Sequence, residues 1–229
     1  KLLRQAEVIA PAVEPNGVFD LCKMKTHVLT GMTGAVKNTF GIIPGLSKVG
    51  FHGSHPDRDR FAGVLLDLAG WLKPRLCVMD AVLAMEGEGP GASGTPRQVG
   101  LLLVAEDPLA LDVAAGWLMG LREEDNPLLQ AARRRGLEPN RREQVELIGT
   151  AAQAEPIHDY RFPANVRSDL MGFLGPLAGP AARLSKRLLS RAPRVRENIC
   201  VGCGICKNAC PGEAIALSAP GGKARVQPR

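Results

Sequence analysis

Four of the chain's six cysteines stand between Cys200 and Cys210, in the run Cys200-x-x-Cys203-x-x-Cys206-x-x-x-Cys210-Pro211. A disulfide framework would spread its cysteines along the chain. Crowding of this kind in an otherwise cysteine-poor sequence points to metal and to a reducing cytoplasm. The spacing constrains the backbone directly. Three thiolates two residues apart wrap a short loop around three corners of a cubane, and Gly202 and Gly204 let the backbone approach with N–H groups turned toward sulfide. Pro211 then turns the chain away. The pattern predicts a [4Fe-4S] site with Cys200, Cys203, Cys206 and Cys210 as metal ligands. Structural zinc is the rival, but zinc knuckles normally pair two separated CxxC units.

This spacing is that of bacterial ferredoxins, so residues 197–229 read as a small ferredoxin-like α+β module. Ala214 to Leu217, Pro220-Gly221-Gly222 and Lys223 to Gln227 read as strand, turn and strand. In two-cluster ferredoxins the fourth cysteine of such a run serves the other cluster, and a second run completes the first. No second run is present in this sequence. Either the sequence stops short of one, giving one cluster here and two in the complete protein, or Cys210 completes a single local site. The first is the expectation. Cys22 and Cys77 are alternative fourth ligands, although each sits in an apolar run that suits a buried thiol.

Charge divides the chain. From Arg183 onward there are ten Lys and Arg against two Asp and Glu, leaving 19 basic and 21 acidic residues before it. The basic tail suits an acidic redox partner protein or an anionic membrane surface. Nucleic acid is disfavoured, since the cysteine motif already accounts for the basic module. No apolar run approaches the roughly 18 residues of a membrane span. Lys1 to Ala10 lacks the apolar stretch of a signal peptide, and the expected localisation is cytoplasmic.

Residues 1–150 read as an α/β body, with 151–196 a linker carrying an amphipathic segment over Leu170 to Leu189. Aromatics make up 4% of the chain, so its core must come from Leu, Val, Ala and Met. Strands are expected at Val18 to Cys22, Arg75 to Ala81, Val99 to Ala105 and Val145 to Ile148. Val99 to Ala105 is apolar enough to be covered on both faces. Helices are expected from Ala35, over Asp57 to Leu72 with Phe61, Val64, Leu65, Leu68 and Leu72 on one face, and after Asp107-Pro108 and Asn126-Pro127. Thr30 to Gly34 reads as a loop, and Glu86 to Gly91 as too glycine-rich for helix or strand. The alternation implies a mainly parallel sheet with helices on both faces. Trp71 and Trp117 fall on apolar helix faces and read as core.

Lys23-Met24-Lys25-Thr26-His27, followed by Thr30-Gly31-Met32-Thr33-Gly34-Ala35-Val36-Lys37-Asn38, resembles the signature of domain-of-unknown-function family 362 (DUF362). So do Asp80-Ala81-Val82 leading to Met85-Glu86-Gly87-x-Gly89-Pro90, and Asp107-Pro108-x-Ala110-x-Asp112. The resemblance covers about residues 15 to 150. It implies an iron–sulfur protein with a two-run ferredoxin module and further chain before the Lys-rich motif. It implies no reaction.

Read as chemistry, Lys23, Lys25, His27, Lys37 and Asn38 surround a glycine-rich turn that opens a helix, a natural site for a small anionic ligand. Asp80 and Glu86 lie at and beyond the end of an expected strand, where open α/β sheets place ligands. The plainer reading makes the lysines surface charges and Asp80 and Asp107 caps. His52 and His55 suit a solvated loop better than a metal. The function expected is iron–sulfur electron transfer coupled to an anion-binding body. Three alternatives remain at this point: an oxidoreductase fed by the cluster, a non-catalytic redox or iron–sulfur sensor docking a partner, and a purely structural cluster.

Overall fold

The computed structural model describes residues 2–3, 5–14, 17–45, 47–48, 58–164, 166, 194–210, 214–219 and 221–227. The expected amphipathic segment, His52 and His55 lie outside them. Two compact units are present, Lys1–Ser47 with Phe51–Ser168, and Lys48–Gly50 with Asp169–Arg229.

The first unit is α/β, built on a mixed sheet of β1 (Phe19–His27), β2 (Gly31–Thr33), β3 (Leu76–Gly87) and β4 (Gly94–Ala105) in the order β2-β1-β3-β4. Its central pair is parallel, with Phe19 opposite Leu76 and Lys23 opposite Asp80. The flanking pairs β1–β2 and β3–β4 are antiparallel. Thr30 to Gly34, expected as loop, contributes β2. His27 Nδ1 accepts the Leu29 and Thr30 N–H groups at 3.0 and 3.3 Å, and Gly31 takes φ +77°, so the chain reverses at once and pairs. Glu86 and Gly87, also expected outside a strand, close β3 opposite Thr95 and Gly94.

Along β1 the side chains alternate: Asp20, Cys22, Met24 and Thr26 are buried, whereas Phe19 and Leu21 are 63% and 72% exposed. On edge strand β4, Leu103 is buried, but Leu102 and Val104 are exposed, which corrects the expectation of a strand covered on both faces. The period-2 alternation had been masked by apolar residues on both faces.

Helix α1 (Ala35–Asn38) is short and continues as a 3-10 turn to Ile42. Helix α2 (Arg58–Leu72) buries Phe61, Val64, Leu65 and Leu68, as its spacing predicts, and ends at Lys73-Pro74. Helix α3 (Pro108–Leu118) starts where Asp107 accepts the Leu109 and Ala110 N–H groups at 2.6 and 3.3 Å. Helix α4 (Pro127–Arg134) is capped in the same way by buried Asn126. In both, the cap satisfies amides that have no carbonyl partner, and proline at the first position loses no hydrogen bond.

Two apolar clusters result. Cys22, Met24, Cys77 and Met79 of the sheet pack with Leu111, Ala115 and Leu118 of α3. Leu109 and Val113 on the next turns of α3 join Val36, Phe40, Phe61, Leu65, Leu128 and Ala132. Helix α3 is thus shared between the sheet layer and the helical layer.

Val145 to Ile148 is not a strand. The segment follows a 3-10 turn at Arg142–Gln144, and the Arg142 side chain donates to the Val145 carbonyl while its guanidinium lies 4.6 Å from the Trp117 ring. That carbonyl is taken before it can join a ladder, and Ile148 is left 80% exposed. Trp71, expected in the core, is 53% exposed, while Trp117 packs against the sheet-side cluster. The body also continues past residue 150. Ile157 N–H donates to the Leu118 carbonyl at 2.8 Å, and buried Tyr160 donates its hydroxyl to the Met85 carbonyl at 2.9 Å.

In the second unit, helix α5 (Ile205–Asn208) follows the cysteine loop, and β5 (Ile215–Leu217) pairs antiparallel with β6 (Ala224–Val226), as the sequence predicts. Among the described residues no helix is long and apolar enough to cross a membrane.

Candidate functional site

The cysteine loop is shaped by two glycines. Gly202, at φ +72°, packs so closely against the β5–β6 turn that an added Cβ would overlap the Gly221 carbonyl and stand 2.8 Å from that of Gly222. Gly204, at φ +76°, is the residue before α5, which carries Cys206. The loop is closed at its ends by backbone bonds from Cys200 N–H to the Arg196 carbonyl (3.0 Å) and from Cys210 N–H to the Lys207 carbonyl (3.3 Å).

Cys200 Sγ accepts the Ala224 N–H at 3.4 Å. That bond, followed by one from the Gly202 N–H, holds the Cys200 thiol below its ordinary range, with Lys223 adding a smaller pull. This is the thiolate-favouring environment a metal ligand needs. Cys203 and Cys206 are exposed, and Cys200 and Cys210 half-buried. Among the described residues no three Cys, His, Asp or Glu side chains converge as a metal-ligand group. The fit to an iron–sulfur cluster therefore rests on the donor set, the open backbone at Gly202 and Gly204, and the amides bonded to Cys200.

Cys22 and Cys77 lack these features. Both are buried in the sheet core, and burial first, then the nearby Asp20 and Asp112 carboxylates, push their thiols up, Cys77 to about 12 and Cys22 further. Neither suits a fourth cluster ligand, and that alternative is set aside.

The candidate anion-site residues separate into four settings. Lys23 and Lys25 lie two apart on β1. Lys23 Nζ bonds Asp80 at 2.7 Å and reaches the Leu83 carbonyl, also at 2.7 Å, at the irregularity in β3 between Ala81 and Leu83. The Lys23 hydrogen bond holds the Asp80 carboxyl below its usual range. Lys25 is half-buried opposite Met85, and its ammonium has no partner among the described residues. His27 ends β1 with Nδ1 engaged in the turn described above.

On the helical side, Lys37 Nζ sits 5.3 Å from the Phe40 ring centroid and 6.0 Å from that of Phe61. Asn38 donates to Asp20 Oδ1 at 2.5 Å and to the Leu21 carbonyl at 3.1 Å. The turn before α1 does present free amides, but the chain fills them itself. Asp112 on α3 accepts the Ala35 and Val36 N–H groups at 2.6 and 3.1 Å. A Cβ on Gly34 would overlap that carboxylate. An external anion at this turn would have to displace Asp112, so α1 is not the anion site that the sequence suggests. Asp112 is fully buried, and burial raises its carboxyl to about 8 against the opposing pull of the two amides. Asp20 is also buried, its carboxyl raised by burial, with Oδ2 lacking a partner among the described residues.

Glu86 is a structural anchor. Only 3% exposed, it receives Arg161 Nε at 2.8 Å and the Arg161 N–H at 3.3 Å, with Arg97 Nη1 at 3.6 Å. Arg97 also grips Asp159 through two bonds, at 3.0 and 2.6 Å. Residues 159–161 are thereby clamped to β3 and β4. Sequence reasoning missed this clamp, because nothing local links Glu86 to residues 75 positions away. Asp112 was within reach: a carboxylate between Leu111 and Val113 on an apolar helix must find buried donors.

The model of the domain of unknown function DUF362 matches residues 1–116, and that of the 4Fe-4S binding domain matches residues 193–216. The chain is 37% identical over 129 residues to a thylakoid-associated protein of Synechocystis sp., an alignment covering 56% of this chain and 40% of that protein. The chain spans about two fifths of the length of this curated relative. No solved structure matches it.

Proposed function

Since the chain belongs to the DUF362 family and carries a 4Fe-4S binding domain, we propose that it is an electron-transfer protein whose α/β body binds a small anionic ligand. The observation that carries the first part is the cysteine loop, where backbone N–H groups of Ala224 and Gly202 stabilise the Cys200 thiolate. Cys200, Cys203, Cys206 and Cys210 would hold one cluster, with Cys210 as its local fourth ligand; in a two-run module Cys210 would instead serve the second cluster. Bound there, it supplies one-electron transfer at low reorganisation cost. The chain's part is to present thiolates, to turn amides toward sulfur, and to offset their negative charge with Lys223.

Support for the ligand comes from the C-terminal half of β1, beside the parallel strand β3, where open α/β sheets bind ligands. There Lys25 is half-buried and its ammonium lacks a partner among the described residues. Lys23 stands two positions away, about 7 Å along the strand. An anion bridging the two would take the Lys23 ammonium partly from Asp80. Ligand binding and cluster reduction in one chain would make the body a substrate or effector site for the redox module.

EPR of the anaerobically reconstituted chain after dithionite reduction tests the electron-transfer claim. A signal in the g ~1.94 region typical of reduced clusters is expected, disappearing on air reoxidation and lost in Cys203→Ser. A loaded cluster that takes up no electron would leave it a structural role and sink the proposal.

A further inference from the structure

Three large apolar side chains next to cysteine ligands in the sequence stand in the open. Ile199 and Val201, on either side of Cys200, are 63% and 83% exposed, and Ile205, beside Cys206, is 70% exposed. Leaving such residues in water is unfavourable in proportion to their apolar area, so a cluster of them marks a surface that another molecule covers. In the same segment Arg194, Arg196 and Lys207 are all exposed, and their side chains have no partner among the described residues. Lys223 and Arg225 add to this charge. The nearby carboxylate, Glu197, is 4.0 Å from Arg225, and its carbonyl accepts from Lys223.

We propose that this face, with Ile199, Val201 and Ile205 at its centre and Arg194, Arg196 and Lys207 at its rim, docks an acidic electron-carrier protein against the cluster. The inference rests on the electron-transfer reading above and assigns that reading its partner surface. An apolar centre with a charged rim is the anatomy of protein interfaces, and small contact areas suffice for transient redox encounters. The rim steers an acidic partner and accelerates encounter at low salt. The centre expels water where the partner's redox group must come closest. In the transfer, one electron leaves the carrier's fully reduced flavin and enters the oxidised cluster, with no atom or proton exchanged. A lipid surface would satisfy the charge and the apolar patch but would neither give nor take an electron, so a protein is the better occupant.

The test uses the cluster-loaded chain and flavodoxin, a negatively charged flavin carrier, as the probe. Its Kd is measured by titration calorimetry for the wild-type chain, for Arg196→Glu/Lys207→Glu and for Val201→Ser, with iron content and dithionite reduction followed in parallel. Charge reversal is expected to weaken binding about tenfold or more, and Val201→Ser several-fold. Wild-type binding should also weaken about tenfold between low and physiological ionic strength. Iron content and dithionite reduction should be unchanged in every variant, since these side chains are exposed. Equal flavodoxin affinity in all three chains would overturn the docking face while leaving electron transfer intact. So would binding to phosphatidylserine vesicles, or self-association in sedimentation, without flavodoxin binding. A wild-type chain that holds no reducible cluster would overturn both readings.

Discussion

Replacing Asp112 by asparagine separates the charge of this buried carboxyl from its shape. Asp112 faces two opposed influences: burial and the neighbouring Asp20 and Asp107 carboxylates favour the protonated form, and the Ala35 and Val36 amides favour the charged one. Burial dominates, giving a folded value of about 8 against an ordinary 3.8. A group raised on folding contributes its full stability below the ordinary value and loses it as pH climbs toward the folded value. The loss runs at about 1.4 kcal/mol per pH unit in that interval, so between pH 5 and pH 8 it amounts to roughly 3–4 kcal/mol. The carboxamide of the variant cannot ionise. It keeps one acceptor and sets its NH2 group against the other N–H, a pH-independent cost of about 1–3 kcal/mol. Urea unfolding followed by tryptophan fluorescence should therefore show the wild type falling by roughly 3–4 kcal/mol relative to Asp112→Asn from pH 5 to pH 8. Parallel pH profiles within about 0.5 kcal/mol would mean that the two amides hold the carboxylate charged. The burial argument would then be refuted.

Gly202→Ala should lower iron retention sharply, because a Cβ there overlaps the Gly221 carbonyl and a left-handed alanine costs about 1–2 kcal/mol. Iron and sulfide after desalting would check it, with Gly221→Ala (no neighbour within 4 Å of its Cβ) as the control for left-handed strain alone. Arg161→Ala should destabilise the body by about 1–3 kcal/mol in urea, since it removes the side-chain partner of a buried carboxylate that keeps the residue 161 N–H and Arg97. Phosphate titrated into the chain should give a saturable heat that Lys25→Ala abolishes and Lys73→Ala, remote in sequence and outside β1, leaves intact. Equal heats in both variants would dismiss Lys25 as the ligand contact.

The local features of this fold were legible in the sequence. Asp107-Pro108 and Asn126-Pro127 start helices because an acceptor followed by a ring without an N–H is sufficient chemistry at a helix start. The face of α2 follows from its spacing, and the β5–β6 hairpin from Pro220-Gly221-Gly222. What escaped depends on contacts distant in sequence. The Arg97–Asp159 and Arg161–Glu86 clamp, the capture of α1 amides by Asp112, and the exposure of Phe19, Leu21, Leu102 and Val104 all depend on which neighbour a strand or helix meets. Val145 to Ile148 has a strand's composition but lost its place when Arg142 took the Val145 carbonyl. In the candidate site, the 4Fe-4S binding motif was legible because its spacing is itself the constraint. The settings of the basic residues were not, since charge alone does not reveal that Lys23 is spent on Asp80 or that Lys37 rests on Phe40 and Phe61.

Metal stoichiometry decides whether Cys200, Cys203, Cys206 and Cys210 hold an iron–sulfur cluster. Iron, zinc and acid-labile sulfide should be measured on chain purified without oxygen. About four irons and four sulfides per chain are expected, lost in Cys200→Ser, with zinc at trace level. Zinc at about one per chain with no sulfide would make the loop a structural zinc site and rule out the cluster.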